Sequence, residues 1–360
     1  MLTTITFFIG GLVILIFGAE LLLRGEARLA AAFGISPLAI GLTIVAIGTA
    51  SPEIAVSLQA AVNGQGDLTL GNVLGSNIFN ILFILGVTAI VAPIVIAEQL
   101  IRMDAPIMLA ASLLVLALAL DGNIGLLDSL VLLFCLTGYT IFALRQSRAE
   151  SKKVQNEYAE EFAEKQPRTA KNIVINIFFI VAGLGLLAVG SRWLVDSAVV
   201  IARALKVSEL IIGLTIVAVG TSLPEVTTSV IAALKQESDI AVGNAVGSNI
   251  FNLLGVLGVG ALLAPDGISV AEHVLQLDFL VMIFVALVSL PIFYLDNRIS
   301  RMEALLLLAY YISYMTYILM QATGSSILPA VTWFIAFFVP ITFIVVLAFA
   351  VKSSRTKRQT

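Results

Sequence analysis

Apolar stretches of about 20 residues recur along the whole chain, and turn residues or charges separate them. A stretch of that length crosses a bilayer as an α-helix, whereas the strands of a membrane barrel show a weaker alternation over about ten residues. The pattern predicts an all-α integral membrane protein with eleven spans. The predicted spans cover residues 3–23, 38–62, 70–92, 103–121, 124–144, 172–192, 210–234, 242–264, 276–295, 301–321 and 329–351.

The composition supports membrane insertion. Hydrophobic residues make up 59% of the 360 residues and charged residues 12%, and the mean hydropathy is +1.06. Soluble domains carry about 25% charged residues, so this class is excluded. The one cysteine, Cys135, excludes an intramolecular disulfide and is predicted to pack within a helix. The one histidine, His273, is predicted to be solvated in an outer loop.

The placement of basic residues predicts the orientation. No Lys or Arg precedes the first span, and no small-residue cleavage site precedes Arg24, so we expect this span to be retained with the N-terminus outside. With that orientation, 17 of the 20 Lys and Arg residues lie on the inner side, as the positive-inside rule requires. The expected location is therefore the cell inner membrane, with a cytoplasmic C-terminus.

An internal repeat indicates the architecture. Residues 41–80 match residues 213–252 at a constant offset of 172, and 22 of the 40 positions are identical. Each copy spans about five helices, and because five is odd, the second copy enters the bilayer from the opposite side. Such inverted-topology repeats are typical of secondary transporters. The predicted division is 1–145 for the first five-helix repeat, 146–171 for a cytoplasmic linker, 172–322 for the second repeat, 329–351 for an additional helix and 352–360 for a basic cytoplasmic tail.

Each repeat carries a proline and a glutamate in the middle of an apolar helix. The segments are Gly48–Glu53 (GTASPE) and Gly220–Glu225 (GTSLPE). Proline lacks an N–H and clashes with the preceding turn, so both helices are predicted to break here. The break is expected to free backbone carbonyls that need a cavity or an ion at membrane depth. The carbonyls concerned lie around Ala46, Thr49, Ala218 and Thr221.

Glu53 and Glu225 are the strongest candidates for function. A carboxylate at mid-bilayer is costly unless it is paired or bound to a cation, and no span core contains a basic residue. Two carboxylates among neutral oxygens suit a hard cation such as Ca²⁺ or several Na⁺ ions. The alternative is a protonated carboxyl that only fixes helix packing. The absence of deep His or Cys argues against zinc, copper and a membrane-embedded hydrolase, so neither catalytic residues nor a resident cofactor are expected.

A second doubled motif, GNxxGSNIFN, lies in the third and eighth predicted spans. Its Ser and second Asn are spaced by four residues, so their oxygens lie on one helix face: Ser76 with Asn80, and Ser248 with Asn252. These four side chains are candidate ligands, although such motifs alone are more often helix packing. Ser57 and Ser229 follow the glutamates by one turn and are predicted to bond to backbone instead.

The doubled motifs resemble the two alpha repeats of the cation/Ca²⁺ exchanger superfamily, and most closely its prokaryotic Na⁺/Ca²⁺ exchanger branch. The resemblance covers the chain to about residue 321. It implies ten core helices, four central cation sites and alternating access by sliding of the first and sixth helices, with Ca²⁺ and Na⁺ as transported substrates. Carried over position by position, the implied ligands are Glu53, Glu225, Thr49, Thr221, Ser222, Ser76, Asn80, Ser248 and Asn252, with the backbone carbonyls of Ala46 and Ala218.

Three features depart from the family pattern. Ala50 stands where the family usually has Ser, and Asn252 where some members carry Asp. The eleventh span lies outside the ten-helix core. Because Ala50 removes a hydroxyl, the counter-ion stays open, and an H⁺- or K⁺-coupled exchanger of the same fold is the alternative. A passive channel is disfavoured because inverted repeats with broken helices suit alternating access. The bilayer is an expected partner, nucleic acid is not, and the sequence does not indicate the oligomeric state.

Overall fold

The computed structural model describes residues 2–33, 36–149, 169–212, 215–216, 218–295 and 297–357. These residues are almost entirely helical, with two short pairs of strands. We number the main helices α1 to α12 in chain order. They are Leu2–Phe33 (α1), Leu38–Thr49 (α2), Ser51–Val62 (α3), Gly66–Val91 (α4), Leu100–Ala119 (α5), Leu126–Ala149 (α6), Ala170–Ala204 (α7), Leu223–Leu234 (α8), Ser238–Leu263 (α9), Val274–Tyr294 (α10), Arg301–Ala322 (α11) and Leu328–Lys357 (α12).

The predicted membrane class is confirmed. Within the described ranges, nine helices are long and apolar enough to cross a membrane, and the bent pair α2 and α3 makes a tenth. Of the predicted seventh span, the described helices are Glu209–Ile212, Ala218–Thr221 and α8. Residues 150–168, which include most of the predicted linker, lie outside the described residues.

The predicted break in the second span is confirmed. The axes of α2 and α3 differ by 55°, and the bend lies at Ala50. Pro52 occupies the first turn of α3, where its missing N–H costs little and its fixed φ favours a new helix. In the second repeat, Pro224 occupies the first turn of α8 in the same way. The proline therefore starts the second half-helix and places the following glutamate in its first turn.

The two equivalent long helices, α1 and α7, run antiparallel along a seam of glycines. A Cβ built on Gly11 would lie 2.8 Å from the Gly190 carbonyl oxygen, and one on Gly18 would lie 2.9 Å from the Leu187 nitrogen. The residue number therefore rises along one helix as it falls along the other, which is the geometry of an inverted repeat. Small residues permit this close approach. Both helices extend beyond the predicted spans, and the added turns of α1 are rich in Arg, Glu, Ala and Leu, which favour helix.

Two strand pairs connect the halves, and the hydrophobic pattern does not predict them. Strand β1 (Ile94–Val95) pairs antiparallel with β4 (Arg298–Ile299), and β2 (Asn123–Ile124) pairs with β3 (Ile268–Ser269). Each pair joins one strand from each repeat. Because each two-residue strand forms its hydrogen bonds with a strand of the other repeat, the two repeats are joined at two places.

Helices α4 and α9 form the buried centre of the molecule. Both lose their regular α-helical spacing in a π-helical turn that begins at the last Asn of the GNxxGSNIFN motif, over Asn80–Ile84 and Asn252–Val256. Such turns often mark functional positions because they alter side-chain direction within a helix. The structure therefore redirects Asn80 and Asn252 at the core of the protein.

Helix α12 packs on the outside of the second repeat, as its position outside the internal repeat predicts. Tyr310 of α11 hydrogen-bonds Thr342 of α12 at 2.7 Å between the hydroxyl oxygens. The rings of Phe284 in α10 and Phe343 in α12 meet edge to face at 5.7 Å between centroids. Cys135 is partly buried against the core, and His273 is exposed, as predicted.

Candidate cation site

Glu53 and Glu225 lie in the first turns of α3 and α8, at the junction of the two repeats. Their side chains are 3% and 1% exposed, and Ser222, three residues before Glu225 in the same motif, contacts the Glu53 carboxylate directly. The N-terminal turn of a helix partly offsets negative charge through the helix dipole. No basic side chain pairs with either carboxylate among the described residues. The structure therefore brings the two glutamate motifs together at this junction.

Near the glutamates, hydroxyl groups of each repeat donate hydrogen bonds to the other repeat. Ser222 Oγ of the second repeat donates to Glu53 Oε1 of the first at 2.5 Å. In the opposite direction, Thr49 Oγ1 of the first repeat donates to Asn244 Oδ1 of the second at 3.1 Å. The position equivalent to Ser222 is Ala50, which is buried and has no hydroxyl. Glu53 therefore has a serine donor for which Glu225 has no counterpart.

Four buried side-chain oxygens at this junction accept no hydrogen bond from any described residue. They belong to the two glutamates and to the last Asn of each doubled motif: Glu53 Oε2, Glu225 Oε2, Asn80 Oδ1 and Asn252 Oδ1. A buried acceptor without a donor costs about 1–3 kcal/mol or more when it is charged. Hard cations are bound by carboxylate and amide oxygens of this kind. The arrangement therefore suits a cation better than a hydrogen-bonded packing motif.

Asn77 and Asn249 determine which atom of each neighbouring amide is left free. The Nδ2 of Asn80 donates to Asn249 Oδ1 at 3.0 Å, and the Nδ2 of Asn252 donates to Asn77 Oδ1 at 3.2 Å. Asn77 and Asn249 also donate to each other's backbone carbonyls at 3.3 and 3.1 Å. Because the NH₂ groups are engaged, Asn80 and Asn252 present oxygen to the junction.

The sequence analysis did not assign this role to Asn77 and Asn249. The signal was present, because both belong to the doubled GSN element. Periodicity placed Ser76 and Asn80 on one helix face and left Asn77 on a neighbouring face. That face contacts the other repeat, and only the relative placement of α4 and α9 brings the amides together.

Asn72 and Asn244 support the backbone beneath the glutamates. Asn72 Nδ2 donates to the Glu53 carbonyl at 3.1 Å and to Ser57 Oγ at 2.8 Å, and Asn244 Nδ2 donates to the Glu225 carbonyl at 3.4 Å and to Ser229 Oγ at 3.1 Å. Ser229 also donates to the Ala241 carbonyl at 3.4 Å, a backbone contact of the predicted kind. These contacts fix α3 on α4 and α8 on α9.

The predicted release of the Ala46 carbonyl is wrong. This carbonyl accepts the Ala50 N–H at 3.1 Å and lies 3.4 Å from Ser248 Oγ. A proline deprives the carbonyl four residues earlier, which is that of Gly48 or Gly220. The Gly220 carbonyl accepts Ser191 Oγ of α7 at 2.6 Å. The backbone of Ala218 begins the short helix before the second break, and its side chain lies outside the described part of the chain.

A cavity of about 500 Å³ leads toward the junction between α3 and α7. Arg192 and Asp196 lie at its exposed side and form an ion pair at 3.8 Å. Ser51 and Thr221, which belong to the two glutamate motifs, also line it. We call the end of the molecule where this cavity lies the outer end, because the distribution of basic residues predicts that it faces the exterior. From this junction toward the opposite, inner end, Leu223 and Ile231 of α8 pack against the buried face of α1.

Comparisons with known proteins agree with this geometry. The family model described as sodium/calcium exchanger protein matches residues 3–145 and 175–320. The chain is 37% identical to inner membrane protein YrbG of Escherichia coli, over 80% of this chain and 88% of that protein. It is 38% identical to the putative antiporter CaxA of Alkalimonas amylolytica, over 87% and 98% of the respective chains.

A solved structure has the same fold. The sodium-calcium exchanger NCX_Mj, soaked with 2.5 mM Na⁺ and 0.1 mM Ca²⁺, matches with a TM-score of 0.72 and 31% identity, over 87% of this chain and 97% of that chain. The residues matched by the family model include both repeats, with Glu53 and Glu225. The chain is thus a membrane transporter that belongs to the sodium/calcium exchanger family.

Proposed function

We propose that the protein exchanges Ca²⁺ for Na⁺ across the inner membrane. The observation that carries this proposal is the set of four partnerless oxygens from Glu53, Glu225, Asn80 and Asn252 at the junction of the repeats. Two carboxylates give the site a formal charge of −2, which one Ca²⁺ neutralises, and the neutral oxygens replace its water. Two or more Na⁺ ions satisfy the same ligands in alternation, so the two cations compete for one centre.

The proposed ligands are the oxygens that the two repeats direct to this centre. The glutamates supply the charge, and the hydroxyl and amide groups supply neutral oxygens. Ala46 is the weakest member because its carbonyl already accepts a backbone hydrogen bond, although a carbonyl has a second lone pair. The full set is Glu53, Glu225, Thr49, Thr221, Ser222, Ser76, Asn80, Ser248 and Asn252, with the carbonyls of Ala46 and Ala218.

The shape of the molecule supports alternating access. The cavity lined by Arg192, Asp196 and Thr221 gives cations a route from the outer end. On the inner side, α1 packs on α8 and covers the equivalent route to the centre. With the N-terminus outside, as the charge distribution predicts, the structure corresponds to a state that is open to the exterior. Exposure to the cytoplasm requires α1 to move relative to α8.

Ala50 favours a second candidate for the counter-ion. Because Glu225 lacks the serine donor that Glu53 has, the centre offers one hydroxyl fewer than a symmetric site. Fewer neutral oxygens disfavour one Na⁺ position, and a proton needs only one oxygen. An H⁺- or K⁺-coupled Ca²⁺ exchanger of the same fold is therefore the alternative.

The deciding experiment is uptake of radiolabelled Ca²⁺ into proteoliposomes that hold the purified protein. The vesicles are loaded with Na⁺, with K⁺ or with an acidic buffer, and each is diluted into choline medium. We expect uptake to require internal Na⁺ and to stop when external Na⁺ removes the gradient. If K⁺ or the proton gradient drives uptake, that ion and not Na⁺ is the counter-ion. The absence of Ca²⁺ uptake under all three conditions would refute Ca²⁺ exchange.

A further inference from the structure

A second pair of buried acids lies outside the central site. Glu26, in the last third of α1, is 0% exposed, and Glu237, in the turn between α8 and α9, is 7% exposed. Leu23 of α1, one turn before Glu26, packs in one cluster with Ala233 and Ile240, which lie on either side of Glu237 in the chain. Both oxygens of Glu26 and the Oε2 of Glu237 accept no hydrogen bond from the described residues. Three carboxylate oxygens without partners among the described residues thus lie where α1 packs on the α8–α9 turn, at the inner end.

The charged groups on the surrounding elements are engaged elsewhere. Arg24 of α1 forms an ion pair with Glu20 of the same helix. Lys235, in the α8–α9 turn, also pairs with Glu20, at 3.6 Å. The Arg28 guanidinium lies over the ring of Phe179, 6.0 Å from its centroid. Asp239, in the first turn of α9, adds a further negative charge. Each is a titratable or charged group near the pair, and none forms a described hydrogen bond with Glu26.

Helix α7 contributes an uncharged group and no counter-charge at this point. Asn176 of α7 lies against Gly25, since a Cβ on this glycine would be 2.8 Å from the Asn176 carbonyl. The side chain of Asn176 is 2% exposed, and its Oδ1 also has no partner among the described residues. Lys171, in the first turn of α7, is exposed. Among the described residues, α7 thus brings to this contact a further acceptor without a partner and no counter-charge.

The fold itself does not require these acids. At the constant offset of 172, Glu26 corresponds to Ala198 and Glu237 to Gln65. The backbone of Glu237 is already held, because its N–H donates to the Ala232 carbonyl at 2.9 Å and its carbonyl accepts the Ala241 N–H at 3.2 Å. The outer end forms the equivalent turn without either carboxylate. The pair is an addition to one end only.

The chemistry of the pair favours a proton over a metal ion. Ca²⁺ takes about six to eight oxygen ligands, whereas the described oxygens without partners here are the three carboxylate oxygens and Asn176 Oδ1, fewer than that number. Two neighbouring buried carboxyl groups instead share a proton, since both cannot ionise in a medium of low dielectric constant. Burial raises the pKa of Glu237 to about 7, although the Lys235 ammonium acts in the opposite direction.

We propose that Glu26 and Glu237 form a proton-binding site at the inner end, where one shared proton holds α1 against the α8–α9 turn. Loss of this proton leaves two carboxylates that repel each other across the contact. Because the closed contact binds the proton more tightly than separated acids do, acid on the inner side stabilises closure and alkali favours opening. The same helix, α1, covers the inner end of the central site, so the pair couples the pH on this side to transport.

The first test detects the shared proton directly, without transport. Infrared spectra are recorded as a function of pH on the full-length E53Q/E225Q variant, in which the central carboxyl groups are absent. We expect a protonated-carboxyl band that disappears around neutral pH and is lost on adding E26Q or E237Q. The matched control is E20Q, which changes a neighbouring glutamate on α1 that pairs with Arg24, and we expect it to keep the band. The absence of such a band, or its persistence in both E26Q and E237Q, would overturn the proposal.

The addition of Ca²⁺ to the same E53Q/E225Q sample separates a proton site from a metal site. We expect the titration of the band to be unchanged. A shift of the titration to lower pH with increasing Ca²⁺ would show that the pair is a metal site, and the proposal would fail. Neither result depends on the counter-ion of the central site, so this inference and the proposed function are tested apart.

A second test uses proteins with an intact central site, so that it does not depend on the folding of the double variant. Ca²⁺ exchange is measured while only the pH on the inner side is varied. We expect exchange by the wild type to fall as this pH drops through about 7, and E237Q to lose this step while E20Q retains it. An unchanged pH profile in both E237Q and E26Q would overturn the regulatory role.

Discussion

Ser222 of the second repeat donates a hydrogen bond to Glu53 of the first, with 2.5 Å between Oγ and Oε1. The residues are 169 positions apart in the chain and lie at the two broken helices. The equivalent donor to Glu225 is absent, because Ala50 occupies that position. Two nearly identical half-sites therefore hold their carboxylates differently.

Exchanging the serine between the half-sites tests this asymmetry. S222A removes the donor to Glu53 and is expected to weaken Ca²⁺ binding by roughly 10- to 100-fold, since a hydrogen bond to a charged group contributes about 1.5–3 kcal/mol. A50S adds the missing hydroxyl beside Glu225 and is expected to strengthen Na⁺ competition against Ca²⁺. Isothermal titration of Ca²⁺ at several Na⁺ concentrations measures both effects. Unchanged Na⁺ competition in A50S would show that residue 50 does not contact the cation.

Neutralising either central glutamate is expected to abolish transport. E53Q and E225Q each leave one carboxylate, so a divalent cation gains too little charge compensation to leave water. Radiolabelled Ca²⁺ uptake should fall to the level of empty vesicles, while elution on size exclusion stays that of the wild type. E98Q is the control, because Glu98 is exposed and pairs only with Arg102 in the described structure. Normal uptake by E53Q or E225Q would exclude that glutamate as a ligand.

Asn77 and Asn249 are expected to act as positioning residues. N249A removes the acceptor of the Asn80 NH₂ group, so the Asn80 amide is free to rotate its oxygen away from the cation. The expected loss of Ca²⁺ affinity is about 1–2 kcal/mol, or roughly 5- to 30-fold, and N77A should behave alike through Asn252. Titration calorimetry measures the affinity. N63A, on an exposed turn, is the control, and equal affinities in all three variants would contradict the positioning role.

The glycine seam between α1 and α7 gives a matched pair of variants. A Cβ on Gly183 would lie 2.7 Å from the backbone nitrogen of Leu22, whereas one on Gly185 meets no described atom within 4 Å. G183A therefore forces the helices apart and is expected to cost about 1–3 kcal/mol of stability. G185A should leave stability unchanged. Thermal unfolding in detergent compares the two, and equal melting temperatures would show that the seam is not tightly packed.

The sequence predicted the broken helices because proline is a local signal. It predicted that the two glutamate motifs meet because the internal repeat relates them by symmetry. It also assigned Ser76 and Asn80 to one helix face. It did not predict the amide pairs of Asn77 and Asn249, since these depend on the rotation of two helices about their axes. The Ala46 carbonyl was predicted to be free, but the helix continues one turn beyond it and the Ala50 N–H binds it.

What the sequence alone determined is the class, the inverted repeat and the identity of the acidic residues, because hydropathy, repeat length and residue type are properties of the chain itself. The tertiary structure decided which oxygens stay without donors, which end of the molecule is open and which acids meet at Glu26 and Glu237. Two nearly equal half-sequences specify nearly equal helices. The contacts between the halves depend on single differences such as Ala50 against Ser222, whose effect appears only when residues about half a chain apart are packed together.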